Sequence, residues 1–163
     1  MLDGTEKDRL IAVTLDEVSI GQAKPQQESE RLAAIRDILS SNHFTVCGYD
    51  GGPYILCVGI AERRLYFAVY THDKQPIITH HLSLTPFRRV IREYTQLCES
   101  YDQAIGSGSI ARIEAIDMGR RGLHNEAAEL LVSRLNGKFT LDFDTARRLF
   151  TLVFALHWKG SDI

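Results

Sequence analysis

One stretch near the C-terminus constrains the fold of this chain more than any other. From Leu149 to Trp158, apolar residues occupy every side of the predicted helix rather than a single stripe. A helix that is apolar on all sides has to be buried on all sides, and this one is shorter than the ~20 apolar residues that cross a bilayer. We therefore predict a central core helix, capped by Asp142 or Asp144, with the rest of the chain wrapped around it.

Length, charge and cysteine content fit a cytoplasmic protein. The 163 residues can form a single domain, 1–163, in which the polar residues 1–8 are expected to be loosely ordered. We expect neither a secretory signal nor a membrane-spanning helix. The three cysteines, without a Cys-x-x-Cys spacing, fit a reducing compartment. Because no metal-ligand spacing is found among the histidines and acids, we expect no metal and no cofactor.

The first half of the chain predicts an antiparallel meander. Leu10–Leu15 reads as a short strand, and residues 26–41 have the apolar spacing of a helix. Short turns rich in glycine, proline and charged residues then separate four extended segments, which is typical of a meander. The predicted strands of the meander are residues 44–50, 54–61, 64–71 and 76–84.

The turns between these strands set three registers that agree with one another. They place Val46 opposite Val58, Val58 opposite Phe67 and Phe67 opposite His80. His80 is interpreted as a hydrogen-bonded core residue. Three turns that agree on one apolar face are what a real sheet requires. That face is predicted to carry Phe44, Val46, Leu56, Val58, Ile60, Leu65, Phe67, Val69, Ile78 and Leu82.

The second face of the predicted sheet is too apolar to be left in water. The same registers place Cys47 opposite Cys57 on it, among several tyrosines. Aromatic side chains of this kind mark partner surfaces, so we expect self-association as a homodimer through this face. The alternative is that another segment of the chain covers it. The expected interface residues are Tyr49, Ile55, Tyr66, Tyr70, Ile77 and His81.

Helices complete an α+β prediction. Thr85-Pro86 begins an amphipathic helix that ends at Gly106-Ser107-Gly108. The next helix, Ile110–Leu135, is either continuous or broken at Gly119 or Gly122, because each glycine costs about 1 kcal/mol in a helix interior. The predicted fold is thus an antiparallel four-stranded meander, open to extra edge strands, packed against three to four helices that include a buried C-terminal one.

Several segments of the chain together resemble one bacterial family. They are residues 13–17, 52–54, 81–89, 98–101, 113–126 and 142–150. They are similar to the corresponding motifs of Uncharacterised Protein Family 0262, and the resemblance covers nearly the whole chain. It implies a cytoplasmic bacterial protein. It implies no activity, cofactor or catalytic residue.

The arginines of this sequence are its main indication of an anion-binding site. Arginine outnumbers lysine among the 19 basic residues, and its planar fork suits carboxylate and phosphate groups. Eight arginines form four adjacent pairs: Arg63-Arg64, Arg88-Arg89, Arg120-Arg121 and Arg147-Arg148. Such pairs are also common on ordinary solvated surfaces.

Two functions are compatible with these patterns. The first is a small cytoplasmic binding, regulatory or interaction module without catalytic activity of its own. The alternative is an enzyme or sensor for a phosphorylated or carboxylate-bearing small molecule, bound by the polar face around Arg120, although that face could equally be an intrahelical ladder of ion pairs. A net charge of -2 argues against nucleic acid as a partner, and no membrane is expected. The candidate ligand-binding residues are Arg120, Arg121, His124, Glu114, Asp117, Arg88 and Arg147.

Overall fold

Strands and helices follow one another in an α+β order. The computed structural model describes residues 4–21 and 23–157. Its strands are β1 Leu10–Leu15, β2 Phe44–Val46, β3 Tyr54–Ala61, β4 Arg64–Thr71, β5 Pro76–Ser83 and β6 Phe139–Leu141. Its helices are α1 Gly4–Lys7, α2 Glu17–Ile20, α3 Pro25–Ser40, α4 Arg88–Ser107, α5 Ile110–Leu135 and α6 Phe143–His157, with a 3-10 turn at Thr85–Phe87 before α4.

The main sheet is mixed, so the predicted antiparallel meander is wrong in one strand. Its order is β1-β3-β4-β5, and β1 runs parallel to β3. Helix α3 lies between them in the chain and supplies the crossover that a parallel pair needs. The predicted strand 44–50 ends at Val46, because the chain turns at Gly48, whose φ of 77° is left-handed. Its strand residues form β2, which pairs with β6 in a separate two-stranded sheet.

The registers of the three antiparallel strands are confirmed. Val58 lies opposite Phe67, and Phe67 lies opposite His80. One irregularity after Val69 places Tyr70 opposite Pro76. The predicted pair Val46 and Val58 is wrong, since β2 belongs to the other sheet. The buried residues of the main apolar face are Leu56, Val58, Leu65, Phe67, Val69 and Leu82.

The prediction of a buried C-terminal helix is confirmed for its described residues. Helix α6 packs between α3 and α5. Between Leu149 and Leu156, two positions are not fully buried, since Thr151 is exposed and Phe154 is half-buried. Trp158, which we included in this helix, lies outside the described residues. The buried residues of α6 are Thr145, Ala146, Leu149, Phe150, Leu152, Val153, Ala155 and Leu156.

Helix α5 is continuous through both of its interior glycines. A Cβ atom added at Gly119 would lie 3.4 Å from a methyl carbon of Leu97 on α4, so this glycine permits close packing of the two helices. A Cβ atom at Gly122 would meet nothing within 4 Å. The structure thus decides between the two alternatives that the sequence left open.

The N-terminal segment contributes little to the core. Residues 1–3 of the segment that we expected to be loosely ordered lie outside the described residues. Gly4–Lys7 form one helical turn, and the Lys7 ammonium pairs with Asp50 at 2.6 Å. In the described part of the chain, no helix has the length and apolar character needed to cross a membrane.

Candidate functional site

The polar face around Arg120 is an ion-pair ladder. The Asp117 carboxylate pairs with Arg120 and with Arg121, each at 3.0 Å. The hydrogen bond from Arg120, followed by the charges of both arginines, holds the pKa of Asp117 below its usual value, although partial burial opposes this. Arg120 also lies over the ring of Tyr101, 4.0 Å from its centroid. Both guanidiniums therefore already have a carboxylate partner, while the neighbouring Glu114 is exposed.

His124 faces α6 and not the ladder. Its Nε2 lies 2.8 Å from the Arg147 carbonyl oxygen and 3.1 Å from the Thr151 hydroxyl, and its Nδ1 lies 3.3 Å from Arg147 Nη2. A guanidinium can only donate, so Nδ1 accepts and Nε2 carries the proton. Burial lowers the pKa of His124, despite the hydrogen bond to the Arg147 carbonyl. The ring is thus neutral, and its geometry positions the Arg147 side chain.

Arg147 borders a cleft of about 290 Å³ between α3, α5 and α6. Within this cleft Arg148 pairs with Asp37 at 3.7 Å. Among the described residues, no carboxylate lies within ion-pair distance of Arg147. The cleft therefore offers one unpaired guanidinium. Its lining residues are Asp37, His124, Asp144, Arg147, Arg148 and Thr151.

A second cavity adjoins this cleft at Thr151. It measures about 330 Å³ and is bordered by Tyr94, Cys98, Arg120 and Phe154, together with acidic residues. Burial raises the pKa of the Cys98 thiol, and the nearby Arg120 only partly opposes this. The thiol is therefore protonated at neutral pH and is not an activated nucleophile.

A third pocket, the Arg88 pocket, lies at the start of α4 and is lined by three arginines. Its volume is about 380 Å³. Arg88, Ile91 and Arg92 are spaced by three and four residues and share one helix face. The β3–β4 turn and the ends of β5 and α6 supply the rest. The lining residues are Arg63, Leu84, Arg88, Ile91, Arg92 and His157.

The three arginines of the Arg88 pocket are not neutralised by carboxylates in the described chain. Their neighbours are, because Arg64 pairs with Glu62 and Arg89 pairs with Glu93 and Glu126. The first turn of α4 contains no acidic residue. Since a helix N-terminus is itself the positive end of the helix dipole, the start of α4 adds to the positive potential of the three arginines.

Arg63 occupies a strained backbone position. It and Glu62 form the two-residue turn between β3 and β4, with φ values of 65° and 52°. Turns of this type favour asparagine and glycine, because other residues adopt left-handed angles at a cost. Turn geometry alone therefore does not explain an arginine at this position.

His157 closes the Arg88 pocket at the end of α6. Its ring Nδ1 lies 2.7 Å from the Val153 carbonyl oxygen, which can only accept a hydrogen bond, so Nδ1 donates. The other nitrogen, Nε2, is buried and has no hydrogen-bond partner in the described chain. Such an atom is costly to leave unpaired.

Of the residues in this pocket, sequence reasoning identified Arg88 alone. It missed Arg63, Arg92 and His157, which come together only through folding. One signal was available in the adjacent arginines. In each of the pairs Arg63-Arg64 and Arg88-Arg89, one arginine lines the pocket while the other pairs with glutamate.

Most of the expected interface residues do share the second face of the main sheet. Ile55 lies opposite Tyr70, and Tyr66 lies opposite His81. Ile77 is the unpaired residue at the irregularity between Val69 and Tyr70, and it packs partly against the core. The Tyr66 hydroxyl donates to Asp16, and this bond lowers the pKa of that carboxyl.

Two predictions about this face are wrong. Tyr49 lies beyond β2, with its ring against Gly51 and near Tyr54, and so it is not part of the main sheet. Cys57 lies opposite Ala68, and Cys47 lies beside Thr140, so the two cysteines are not neighbours. The placement of Tyr49 and the pairing of Cys47 with Cys57 are wrong for one reason: both assumed that β2 pairs with β3.

In the described chain, no three His, Cys, Asp or Glu side chains are grouped as a metal site would require.

Comparison with known proteins gives a family and no activity. Residues 7–159 match the profile of the Uncharacterised protein family (UPF0262). The UPF0262 protein of Methylobacterium radiotolerans is 61% identical over 153 residues, which are 94% of this chain and 95% of the relative. Those of Xanthobacter autotrophicus and Agrobacterium fabrum are each 53% identical, covering 97% of both chains in the first case and 93% and 96% in the second. No solved structure matches the chain significantly.

Proposed function

We propose that this chain, which belongs to the Uncharacterised protein family (UPF0262), is a small cytoplasmic binding module for an anionic small molecule. The Arg88 pocket is its binding site. One observation carries the proposal: three arginines that have no carboxylate partner in the described chain line one cavity. Arginine presents five N–H donors in a fixed fork and stays charged, so it suits carboxylate and phosphate groups.

Electrostatics supports this location over the predicted Arg120 segment. Arg120 and Arg121 share the Asp117 carboxylate, so an external anion would have to compete with it. In the Arg88 pocket, like charges repel one another and the helix dipole, and a bound anion relieves both effects.

The composition of the pocket supports binding without catalysis. Its cations are arginines, which do not exchange protons at physiological pH. Leu84 and Ile91 supply apolar walls, and His157 has one ring nitrogen engaged by the Val153 carbonyl. A cytoplasmic location is supported by the cysteines, all three of which are free thiols.

The function is tested by titrating the protein with a panel of anions: inorganic phosphate, n-hexyl phosphate, hexanoate and citrate. Saturable binding in calorimetry and a concentration-dependent rise in Tm are expected for at least one anion. The double variant Arg88→Gln/Arg92→Gln should lose the binding event of the Arg88 pocket, so that its total response is smaller than that of the wild type. Arg64→Gln/Arg89→Gln is the matched control, since it also removes two arginine charges, from residues beside the pocket that are paired with glutamates. An equal response of the Arg88→Gln/Arg92→Gln variant, or no response of the wild type to any anion, contradicts the proposal.

We propose a second anion site at the Arg147 cleft. This site corresponds to the alternative function, a sensor or enzyme for a phosphorylated or carboxylate-bearing molecule. The observation in its favour is the unpaired Arg147 guanidinium held by the neutral ring of His124. Arg147→Gln should abolish a binding event that survives in the Arg88→Gln/Arg92→Gln variant. If that variant retains no anion binding at all, the second site is absent.

We also propose that the protein is a homodimer through the second sheet face. Short helix α2 covers one end of this face near Tyr66. Farther along, Ile55, Tyr70 and Ile77 remain partly exposed, and a shallow depression of about 260 Å³ lies beside Ile55 and Tyr70. Partly exposed aromatic and aliphatic side chains of this kind favour a protein partner.

A further inference from the structure

We infer that the ligand of the Arg88 pocket is a phosphate monoester of an apolar alcohol or phenol. This inference rests on the anion-binding function proposed above and names the chemical class of the ligand. Two separate properties of the pocket carry it: the number of its unpaired guanidiniums and the nature of its remaining walls.

The head group follows from the charge of the pocket. Arg63, Arg88 and Arg92 bring three positive charges from two separate segments of the chain. A phosphate monoester carries a charge of about −1.5 to −2 at neutral pH and three acceptor oxygens, whereas a carboxylate carries one charge and two oxygens. Three arginine charges on one pocket therefore favour the doubly charged phosphate over a singly charged carboxylate.

The apolar part follows from the walls. Leu84 and Ile91 are partly buried and pack against the hydrophobic core, so they form fixed aliphatic surfaces beside the arginines. No carboxylate or amide side chain is among the described residues that line the pocket. The hydroxyl groups of a sugar phosphate would meet few acceptors there, and a buried hydroxyl without a partner weakens binding. An alkyl or aryl group instead gains contact with both walls.

The size of the pocket limits the ligand. A cavity of about 380 Å³ has the volume of roughly a dozen water molecules, at about 30 Å³ each, and thus room for at least about a dozen non-hydrogen atoms. A phosphate group takes five of these positions, which leaves room for an apolar group of about six to eight carbons. A longer chain would extend into solvent and gain nothing further.

The experiment measures Kd by calorimetry for ethyl, butyl, hexyl, octyl and decyl phosphate, below their micelle concentrations, beside phenyl phosphate, glucose 6-phosphate, hexanoate and inorganic phosphate. Affinity should rise about three- to fourfold per methylene up to hexyl or octyl phosphate, corresponding to ~0.8 kcal/mol per CH₂, and then level off. Hexyl phosphate should bind about tenfold or more tightly than hexanoate, and more tightly than glucose 6-phosphate.

Two variants divide the pocket into its parts. Ile91→Ala should flatten the dependence on chain length while inorganic phosphate binds as before, and Leu84→Ala serves the same purpose if the first variant is poorly folded. Arg88→Gln/Arg92→Gln should weaken every phosphate in the series. Phosphatidylcholine vesicles with and without phosphatidic acid distinguish two sources of the same chemistry: sedimentation with the acidic vesicles assigns a lipid head group, and binding of the soluble esters alone assigns a free metabolite.

The results distinguish a wrong ligand class from a wrong anion-binding function. Equal affinity for inorganic and hexyl phosphate, or a preference for glucose 6-phosphate or hexanoate, overturns the apolar phosphate ester but leaves the anion-binding function intact. Absence of saturable binding for every anion, or equal binding by the double arginine variant, overturns both.

Discussion

At the residue scale, Arg63 links backbone strain to the proposed site. An L-residue in the left-handed region costs about 1–2 kcal/mol, and asparagine tolerates this region better. Arg63→Asn should therefore leave the free energy of unfolding unchanged or raise it by up to ~1 kcal/mol. The same variant should weaken binding of hexyl phosphate by about tenfold, because a hydrogen bond to a charged group contributes about 1.5–3 kcal/mol. Urea denaturation and calorimetry measure the two effects.

Glu62→Asn is the control for Arg63, because it changes the other residue of the same turn outside the pocket. It should alter stability in the same direction and leave binding untouched. If Arg63→Asn binds hexyl phosphate as tightly as the wild type, Arg63 does not contribute to the site.

Because the pKa of His124 is lowered in the folded protein, we expect the protein to lose stability in mild acid. This pKa is lowered mainly by burial, so the unfolded chain binds more protons between that value and the ordinary 6.5. Its contribution is therefore complete above about pH 6.5 and is lost as the pH falls below it. Protonation also removes the acceptor for Arg147. His80, whose pKa is likewise lowered by burial, acts with the same sign.

The measurement is urea denaturation at pH 7.5 and pH 5.5. The wild type should lose free energy of unfolding at the lower pH. His124→Gln should be less stable at pH 7.5 and should lose less on acidification. An unchanged difference between the two pH values in this variant would show that His124 does not titrate in this range.

At the scale of elements, helix α6 depends on its first turn. The Asp142 carboxylate accepts a hydrogen bond from the Thr145 backbone N–H at 3.0 Å, the geometry of an N-cap. Asp142→Ala should lower the free energy of unfolding by about 0.5–2 kcal/mol, as measured by urea denaturation. Asp142→Asn, which keeps an accepting oxygen, should lose much less. Equal losses in the two variants would mean that the cap bond is not responsible.

Continuity of α5 makes a separate prediction. Gly122 lies in a helix interior with open space around its Cα, so Gly122→Ala should raise the free energy of unfolding by about 0.5–1 kcal/mol. Gly119→Ala should gain less, because the added methyl group contacts Leu97. Thermal denaturation of both variants measures this difference. If Gly122→Ala is destabilising, the helix does not continue through this position in solution.

At the scale of the whole molecule, the proposed homodimer places the second sheet face between two subunits. Light scattering coupled to size exclusion should give the mass of a dimer at high protein concentration. Tyr70→Lys/Ile77→Lys should shift the protein to a monomer while circular dichroism stays unchanged, because two like charges would then meet a copy of themselves. A wild type that is strictly monomeric at high concentration removes the proposal.

Local patterns were sufficient where neighbours in sequence are also neighbours in space. The registers of β3, β4 and β5 were predicted correctly because short turns connect them and a slip by one residue would expose their apolar face. Helix α4 followed from its apolar stripe, and helix α6 followed from its apolar residues on every side, which are also local features of the sequence. The alternation of β2 indicated a strand but not its partner, and β6, which pairs with it, lies more than ninety residues away.

What the sequence by itself determined about this protein is its longer helices, the strands β1, β3, β4 and β5, its α+β class and the burial of α6, since periodicity and caps are local properties of a chain. Tertiary structure alone decided the parallel partner of β3, the neutral contact of His124 with Arg147, and the meeting of Arg63, Arg88 and His157. Packing between distant segments decides which exposed arginines pair with a carboxylate and which line the same cavity. Local sequence patterns cannot predict these contacts, because the contacts depend on distances between segments that only folding brings together.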